Sequence, residues 1–257
     1  MRNNIKLIGA AATLAAIVAI PGIASAQDEG AKVRVLHGVG DAPAVDVYAN
    51  GEVLIDALAF PNITEYATVP AGTYQIQVVP DGATLEEGPV VIDAELTFDA
   101  GTMTTVAATG TLAGEAGIIP QVVVDMPMPT ADGAQLRASH FSFDAPAVDI
   151  APVGGDPVLT DVTFGATSAY LDLPAGPIDL EIRGAGSPDA VFTIPTLDLQ
   201  AGNSYSAYAV GSFEEGTFTV VPALDATVEM MDEEMSDDMS DDAAAMESAE
   251  ASPESDS

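Results

Sequence analysis

The chain has 257 residues, 40 of them acidic and 6 basic, for a formal net charge of −34, and it contains no cysteine and no tryptophan. That balance excludes nucleic acid as a partner, because phosphate binding needs clustered Lys and Arg, and it disfavours anionic membranes for the same reason. Without cysteine there is no disulfide, thiol nucleophile or thiolate metal site, so apolar packing must stabilise whatever folds.

The first segment reads as an export signal. Arg2 and Lys6 precede an uncharged apolar run from Leu7 to Ile20, followed by a Pro21-Gly22 break and the small-residue site Ala24-Ser25-Ala26. This run is short for a membrane span, and its flanks fit a cleaved Sec-type signal over residues 1–26. The mature protein is therefore expected to be secreted or periplasmic, with no transmembrane segment. Its 40 acids then face four bases, with Lys32 the one lysine, a composition that resembles proteins from saline habitats.

Beyond the signal the chain repeats itself. "VRVLHGVGDAPAVDVY" (33–48) aligns with "LRASHFSFDAPAVDI" (136–150), matching Arg34 to Arg137, His37 to His140 and the hexapeptide "DAPAVD" to its second copy. "TEYATVPAGTYQIQV" (64–78) aligns with "TSAYLDLPAGPIDLEI" (167–182), and Ala100-Gly101-Thr102 with Ala201-Gly202-Asn203. Two like domains are expected, at 31–124 and 135–222. Within each, short runs such as "KVRVLH", "AVDVYA", "TYQIQVV" and "TFTVVP" alternate apolar and polar residues between Gly, Pro, Asn and Asp. That pattern predicts seven or eight antiparallel strands per copy and no helix. Asn50-Gly51 is a type I′ hairpin signal, with Gly154-Gly155 at the matching place. The fold class is thus all-β, two tandem Ig-like sandwiches, with a small barrel as the alternative. The stretch 125–134, with Pro127, Pro129 and Gly133, reads as a stiff linker, and 225–257 as a disordered acidic tail with 13 acids and no base.

The hexapeptide suggests a strand-entry device. Proline excludes the α region for the alanine before it and fixes its own φ, so the chain is steered into extended conformation. Asp41 and Asp144 are placed to accept backbone N–H groups at that turn. Val45 and Val47 would face the core with Asp46 on the opposite face, and Val148 and Ile150 frame Asp149 in the same way. Arg34 and Arg137, twelve positions earlier on the preceding strand, are the expected cross-strand partners of Asp46 and Asp149.

"VRVLHGVGDAPAVDVYANGEVL", "VPAGTY" and "AGTMTTVAATGTL" together resemble the bacterial domain-of-unknown-function family 4397, whose members begin with a Val-Arg-Val-x-His run leading into Asp-Ala-Pro-x-Val-Asp. The second copy departs at Ala138-Ser139 and at Pro177. The resemblance implies a secreted or envelope-associated β-sandwich module, often in tandem, and carries no established catalytic or binding residues.

Other chemistry is thinly supported. His37 and His140 could each pair with Asp41 or Asp144 as a general base or metal ligand, but no serine sits in a nucleophile elbow and one histidine per domain is too few for an ordinary zinc site. A hydrogen-bonded structural histidine is the expected role. Carboxylates are too abundant for any glycosidase pair to stand out. The Asp-rich "GDPVLTD" (155–161) offers oxygen ligands for Ca²⁺, without EF-hand spacing. Met231, Met235 and Met239 in the tail could bind Cu(I) were that segment helical. No catalytic, cofactor-binding or metal-ligating set is assigned. The expected function is an exported, non-enzymatic structural or interaction module that meets an envelope or extracellular protein or polysaccharide. A calcium- or small-ligand-binding module is the alternative, and a hydrolase the third.

Overall fold

The structure is a computed structural model that describes residues 30–229. The export signal, Met231, Met235 and Met239, and nearly all of the acidic tail lie outside the described residues. Eighteen strands account for the ordered elements among those residues, and no helix there is long and apolar enough to cross a membrane.

The first half runs through β1 (Ala31–His37), β2 (Val45–Ala49), β3 (Glu52–Leu58), β4 (Ala67–Val69), β5 (Gly72–Pro80), β6 (Ile92–Phe98), β7 (Met103–Gly110) and β8 (Ile118–Asp125). The second runs through β9 (Ala134–His140), β10 (Val148–Pro152), β11 (Leu159–Val162), β12 (Leu171–Leu173), β13 (Gly176–Ile178), β14 (Leu180–Gly184), β15 (Ala190–Thr193), β16 (Leu197–Leu199), β17 (Asn203–Val210) and β18 (Thr219–Thr227). Sheets of order β4-β1-β7-β8 and β3-β2-β5-β6 form the first half; β12-β9-β17-β18 and β11-β10-β14-β15 repeat that order in the second. The single parallel pairing in each half, β1 with β7 and β9 with β17, is also repeated. Where β5 is continuous, the second half has two pieces, β13 and β14; Pro177 lies in the first of them and has no N–H to donate to a ladder.

Burial follows from which faces are covered. On β6, Ile92, Ala94 and Leu96 point inward while Asp93, Glu95 and Thr97 are exposed, the alternation of a half-covered sheet. On β1 no residue is exposed, because both faces are packed. Val33 and Val35 turn toward Val45, Val47, Ile76 and Phe98 of their own half. Leu36, with Ala107 of β7, turns the other way, onto Phe141, Tyr208 and Val210 of the second half. The sheet holding β1 therefore packs face to face against the sheet holding β9, and the four large sheets stack in one series. Asn50 and Gly51 both have positive φ, 52° and 83°, as the type I′ turn requires.

Two expected boundaries are corrected. Asp125, placed in the linker, is the last residue of β8, and Asp225 to Thr227, placed in the disordered tail, complete β18. Both aspartates are buried. Each continues the alternation of a strand edge that a change in composition had concealed.

Candidate functional site: the duplicated motif and the buried arginines

Each residue of the duplicated motif closes a contact of the fold. His37 Nε2 lies 3.0 Å from the Pro43 carbonyl, and His140 Nε2 lies 3.0 Å from that of Pro146. A carbonyl only accepts, so Nε2 carries the proton in both rings. Burial pushes both imidazoles below their ordinary pKa, against the opposing pull of that carbonyl. His37 Nδ1 accepts the Val39 N–H at 3.3 Å. His140 Nδ1 is the one buried side-chain nitrogen or oxygen among the described residues without a hydrogen-bond partner.

Asp41 reaches the β7–β8 loop, where it accepts Thr111 Oγ1 at 2.7 Å and the N–H groups of Leu112 and Ala113 at 2.9 Å. Asp144 does the same in the second half with Ser212 Oγ, Phe213 N and Glu214 N at 2.5, 2.8 and 3.0 Å. Burial would raise both carboxyl groups; the donated hydrogen bonds outweigh it and hold them below the usual range.

Asp46 and Asp149 do not meet the arginines twelve residues before them. Asp46 accepts Ala57 N at 2.8 Å and Gly82 N at 3.3 Å, and Asp149 accepts Asp161 N at 2.8 Å and Gly186 N at 2.9 Å. In each half the neighbouring strand slips register opposite this aspartate, between the partners of Val45 and Val47 and between those of Val148 and Ile150. Ala57 and Asp161, at φ 53°, are the left-handed residues of those bulges. A carboxylate oxygen on their N–H holds a conformation that a side chain with a Cβ otherwise avoids.

The expected pairing of Arg34 with Asp46 and Arg137 with Asp149 is thus overturned, because both guanidinium groups lie on the opposite face of their sheet, against the other half. Arg34 forms its ion pair with Asp225, and Arg137 with Asp125. The supporting groups repeat. Arg34 Nε donates to Thr105 Oγ1 (2.8 Å), which donates to Asp125 (2.6 Å) together with Tyr66 OH (2.6 Å). Arg137 Nε donates to Ser206 Oγ (2.7 Å), which donates to Asp225 (2.6 Å) together with Tyr170 OH (2.7 Å). The guanidinium carbons lie 4.3 and 4.7 Å from the centroids of the Tyr66 and Tyr170 rings. Tyr208 OH, from β17 alone, accepts Arg34 Nη2 at 2.8 Å and approaches Arg137 Nη2 at 3.5 Å.

Burial alone would loosen each guanidinium's proton, but the facing phenols and carboxylates outweigh it and both arginines stay charged. Burial, with the carboxylate each one bonds, holds the Tyr66 and Tyr170 phenols protonated against the arginines above them. Two positive and two negative charges, each crossed to the other half, make a closed network.

The profile described as "Domain of unknown function (DUF4397)" matches residues 31–151 and again residues 152–235. The chain belongs to the DUF4397 family. A search of curated proteins gave no significant match. Among solved structures, a candidate cell adhesion protein from Bacteroides ovatus aligns at 10% identity and TM-score 0.21, over 77% of this chain and 97% of its own. One from Bacteroides fragilis aligns at 12% identity and TM-score 0.20, over 76% and 98%. At those scores neither likeness informs the reading of this DUF4397 chain.

Of the oxygen ligands expected in 155–161, Gly155 O instead accepts Arg183 Nη2 at 2.9 Å, and Arg183 pairs with Glu181 on the same strand. A carboxylate group gathers in the other half: Asp46, Asp56 and Asp81 each offer an oxygen, all within 4.8 Å of one another. Asp125 and Asp225 are the functional residues that sequence reasoning missed. Extending the self-alignment through "QVVVD" (121–125) and "VPALD" (221–225) matches them, and was the available signal.

Proposed function

We propose that this DUF4397 chain is an exported, non-enzymatic structural or interaction module that acts in the cell envelope or outside the cell, each half an Ig-like β-sandwich. One observation carries the reading: the histidines, aspartates and arginines that the two copies share are all engaged in closing loops, bulges and the contact between halves. Both imidazoles hold their Nε2 proton on a proline carbonyl and are kept from protonation by burial, which suits a rivet and not a proton shuttle. The surface that remains is strongly acidic, suited to a protein or polysaccharide partner met through loops and edge strands.

The test is partner capture by cross-linking on intact cells of the source organism, with the wild-type chain and with His37→Gln/His140→Gln. Both should capture the same partner at a temperature well below the variant's Tm. Loss of capture by the variant at that temperature, where it is fully folded, would give the histidines a direct role and overturn the reading. Export is checked by fractionation, where the processed chain is expected outside the cytoplasm.

The cluster of Asp46, Asp56 and Asp81 favours a second reading, a Ca²⁺-binding module. Calorimetry decides it: saturable heat at micromolar to millimolar Ca²⁺ that Asp56→Asn and Asp81→Asn abolish would establish this reading. Heat that scales only with ionic strength would dismiss it.

A further inference from the structure

The interiors of the two halves differ in one respect. Between the two sheets of the first half lies a cavity of about 100 Å³ whose wall is apolar, with Val35, Val47, Ile76, Ile92, Val106 and Ile118 among its lining residues. The matching space in the second half measures about 20 Å³. Strand register explains the contrast. Ile92 lies opposite Val78, and Phe192 lies opposite Ile182, the residue equivalent to Val78. Ile118 opens β8, and Phe218 stands at the same place just before β18. In the second half the two phenylalanine rings meet edge to face at 4.9 Å and fill the space; in the first, two isoleucines leave it open.

An apolar strip leads outward from the cavity along one strand. Ile118 and Pro120 line it, and Val122 and Val124, on the same face of β8 by strand alternation, are 50% and 53% exposed. The exposed Leu54 and Leu112 also contribute to its wall. An apolar void of this size stays dry, and its lining lacks dispersion partners that an apolar guest supplies. The polar atoms of His37 and Tyr74 in the wall are engaged elsewhere, so the cavity offers no partner to a buried hydroxyl or carbonyl and the guest's buried part is hydrocarbon. The net charge of −34 repels an anionic headgroup at the mouth. Ile118 and Pro120 in the wall and the exposed Val122 and Val124 beyond them make a single line of apolar side chains along β8, which an extended chain can follow and a ring cannot.

We propose that the first half binds a single aliphatic chain of an uncharged or zwitterionic amphiphile, its tail between Ile92 and Ile118 and its polar end beyond Val124. The second half, closed by Phe192 and Phe218, takes none. The experiment titrates the full chain with 1-decanol and maps nuclear Overhauser contacts between the alkyl protons and the protein's methyl groups. Saturable contacts to Val106 and Ile118 are expected. Ile92→Phe/Ile118→Phe imports the pair around which the other half already packs; it should weaken decanol binding by about tenfold or more and raise Tm.

Contacts confined to exposed methyls such as those of Met126 and Met128, or an affinity unchanged in the folded double variant, would overturn the proposal. Should the double variant not fold, the contact map of the wild-type chain decides alone. A second arm identifies the source of the chain. Co-sedimentation with phosphatidylcholine vesicles that Ile92→Phe/Ile118→Phe abolishes assigns a bilayer lipid, whereas decanol binding without co-sedimentation assigns a free amphiphile.

Discussion

Arg34 is 1% exposed, and its ion-pair partner belongs to the other half of the molecule. Taking either charge away leaves the other buried and uncompensated, at a cost of about 3–5 kcal/mol, whereas replacing both with apolar groups of similar volume is often close to neutral. Asp225→Leu should therefore lower unfolding free energy in urea by about that amount, as should Arg34→Met, and combining the two should recover most of the loss. Additive losses in that double-mutant cycle would show that the two residues do not act as a pair. The histidines give a prediction in pH. A ring whose folded pKa is depressed binds its proton more readily once unfolded, so its contribution is complete above about pH 6.5 and is lost as pH falls toward the folded value. Tm should drop between pH 7 and pH 5, and His37→Gln/His140→Gln should flatten that slope while lowering Tm at pH 7. The depressed carboxyl groups Asp41 and Asp144 act later, with their stabilisation complete above about pH 4 and fading below it.

At the scale of elements, "DAPAVD" proves to be a fastening device of three parts. Its first aspartate ties down a distant hairpin loop, its proline carbonyl receives the histidine, and its last aspartate props a left-handed bulge on the adjacent strand. The three residues before it differ between copies, "GVG" against "FSF", because they lie where the two halves press together and the halves are not alike there. Phe141 stacks on Tyr208 with centroids 5.9 Å apart, while at Gly40 an added Cβ would fall 2.2 Å from Thr217 Oγ1 and 2.6 Å from its Cβ. Gly40→Ala must push the loops of the two halves apart, and is expected to cost about 1–3 kcal/mol in urea unfolding. An unchanged midpoint would mean that those loops do not press together. The strand-rich segments, the hairpin at Asn50-Gly51 and the duplication were legible in the sequence, since each rests on local periodicity or turn chemistry, whereas the parallel pairing of β1 with β7 and of β9 with β17 joins strands far apart in the chain and departs from the antiparallel expectation. The bulges were not, because Ala57 carries no mark of positive φ and depends on a carboxylate from another strand. Nor were the true partners of the arginines: Asp225 lies 191 residues from Arg34, at the point where β18 gives way to an acidic stretch. The hollow of the first half became visible only by comparison, once register set Ile92 against Phe192.

Across the whole molecule, positive charge is drawn inward. Arg34, Arg137 and Arg183 are all buried in ion pairs, so the outer surface of the described residues is left almost entirely acidic. Repulsion among those acids is long-ranged at about 0.01 M salt, where the Debye length is about 30 Å, and nearly extinguished at about 1 M, where it is about 3 Å. Tm should consequently rise with NaCl. Of the 40 acids, 29 precede residue 230, so deleting 230–257 should leave most of the rise in place. A flat or falling Tm over that range contradicts this account, and a rise completed by millimolar Ca²⁺ alone favours the acidic cluster as a cation site.

The crossed arginines have one more consequence. Arg34 with Asp225 and Arg137 with Asp125 exchange places when the two copies are interchanged, so the ion pairs at the contact between halves have the self-complementary form of an isologous two-fold interface. A single copy carries both the arginine and the aspartate that such an interface needs. The chain is in effect a homodimer written as one polypeptide, and residues 30–126 expressed alone should pair with themselves, Arg34 of each meeting Asp125 of the other. Sedimentation should reveal a concentration-dependent dimer that Arg34→Ala dissociates; a stable folded monomer at all concentrations would contradict it.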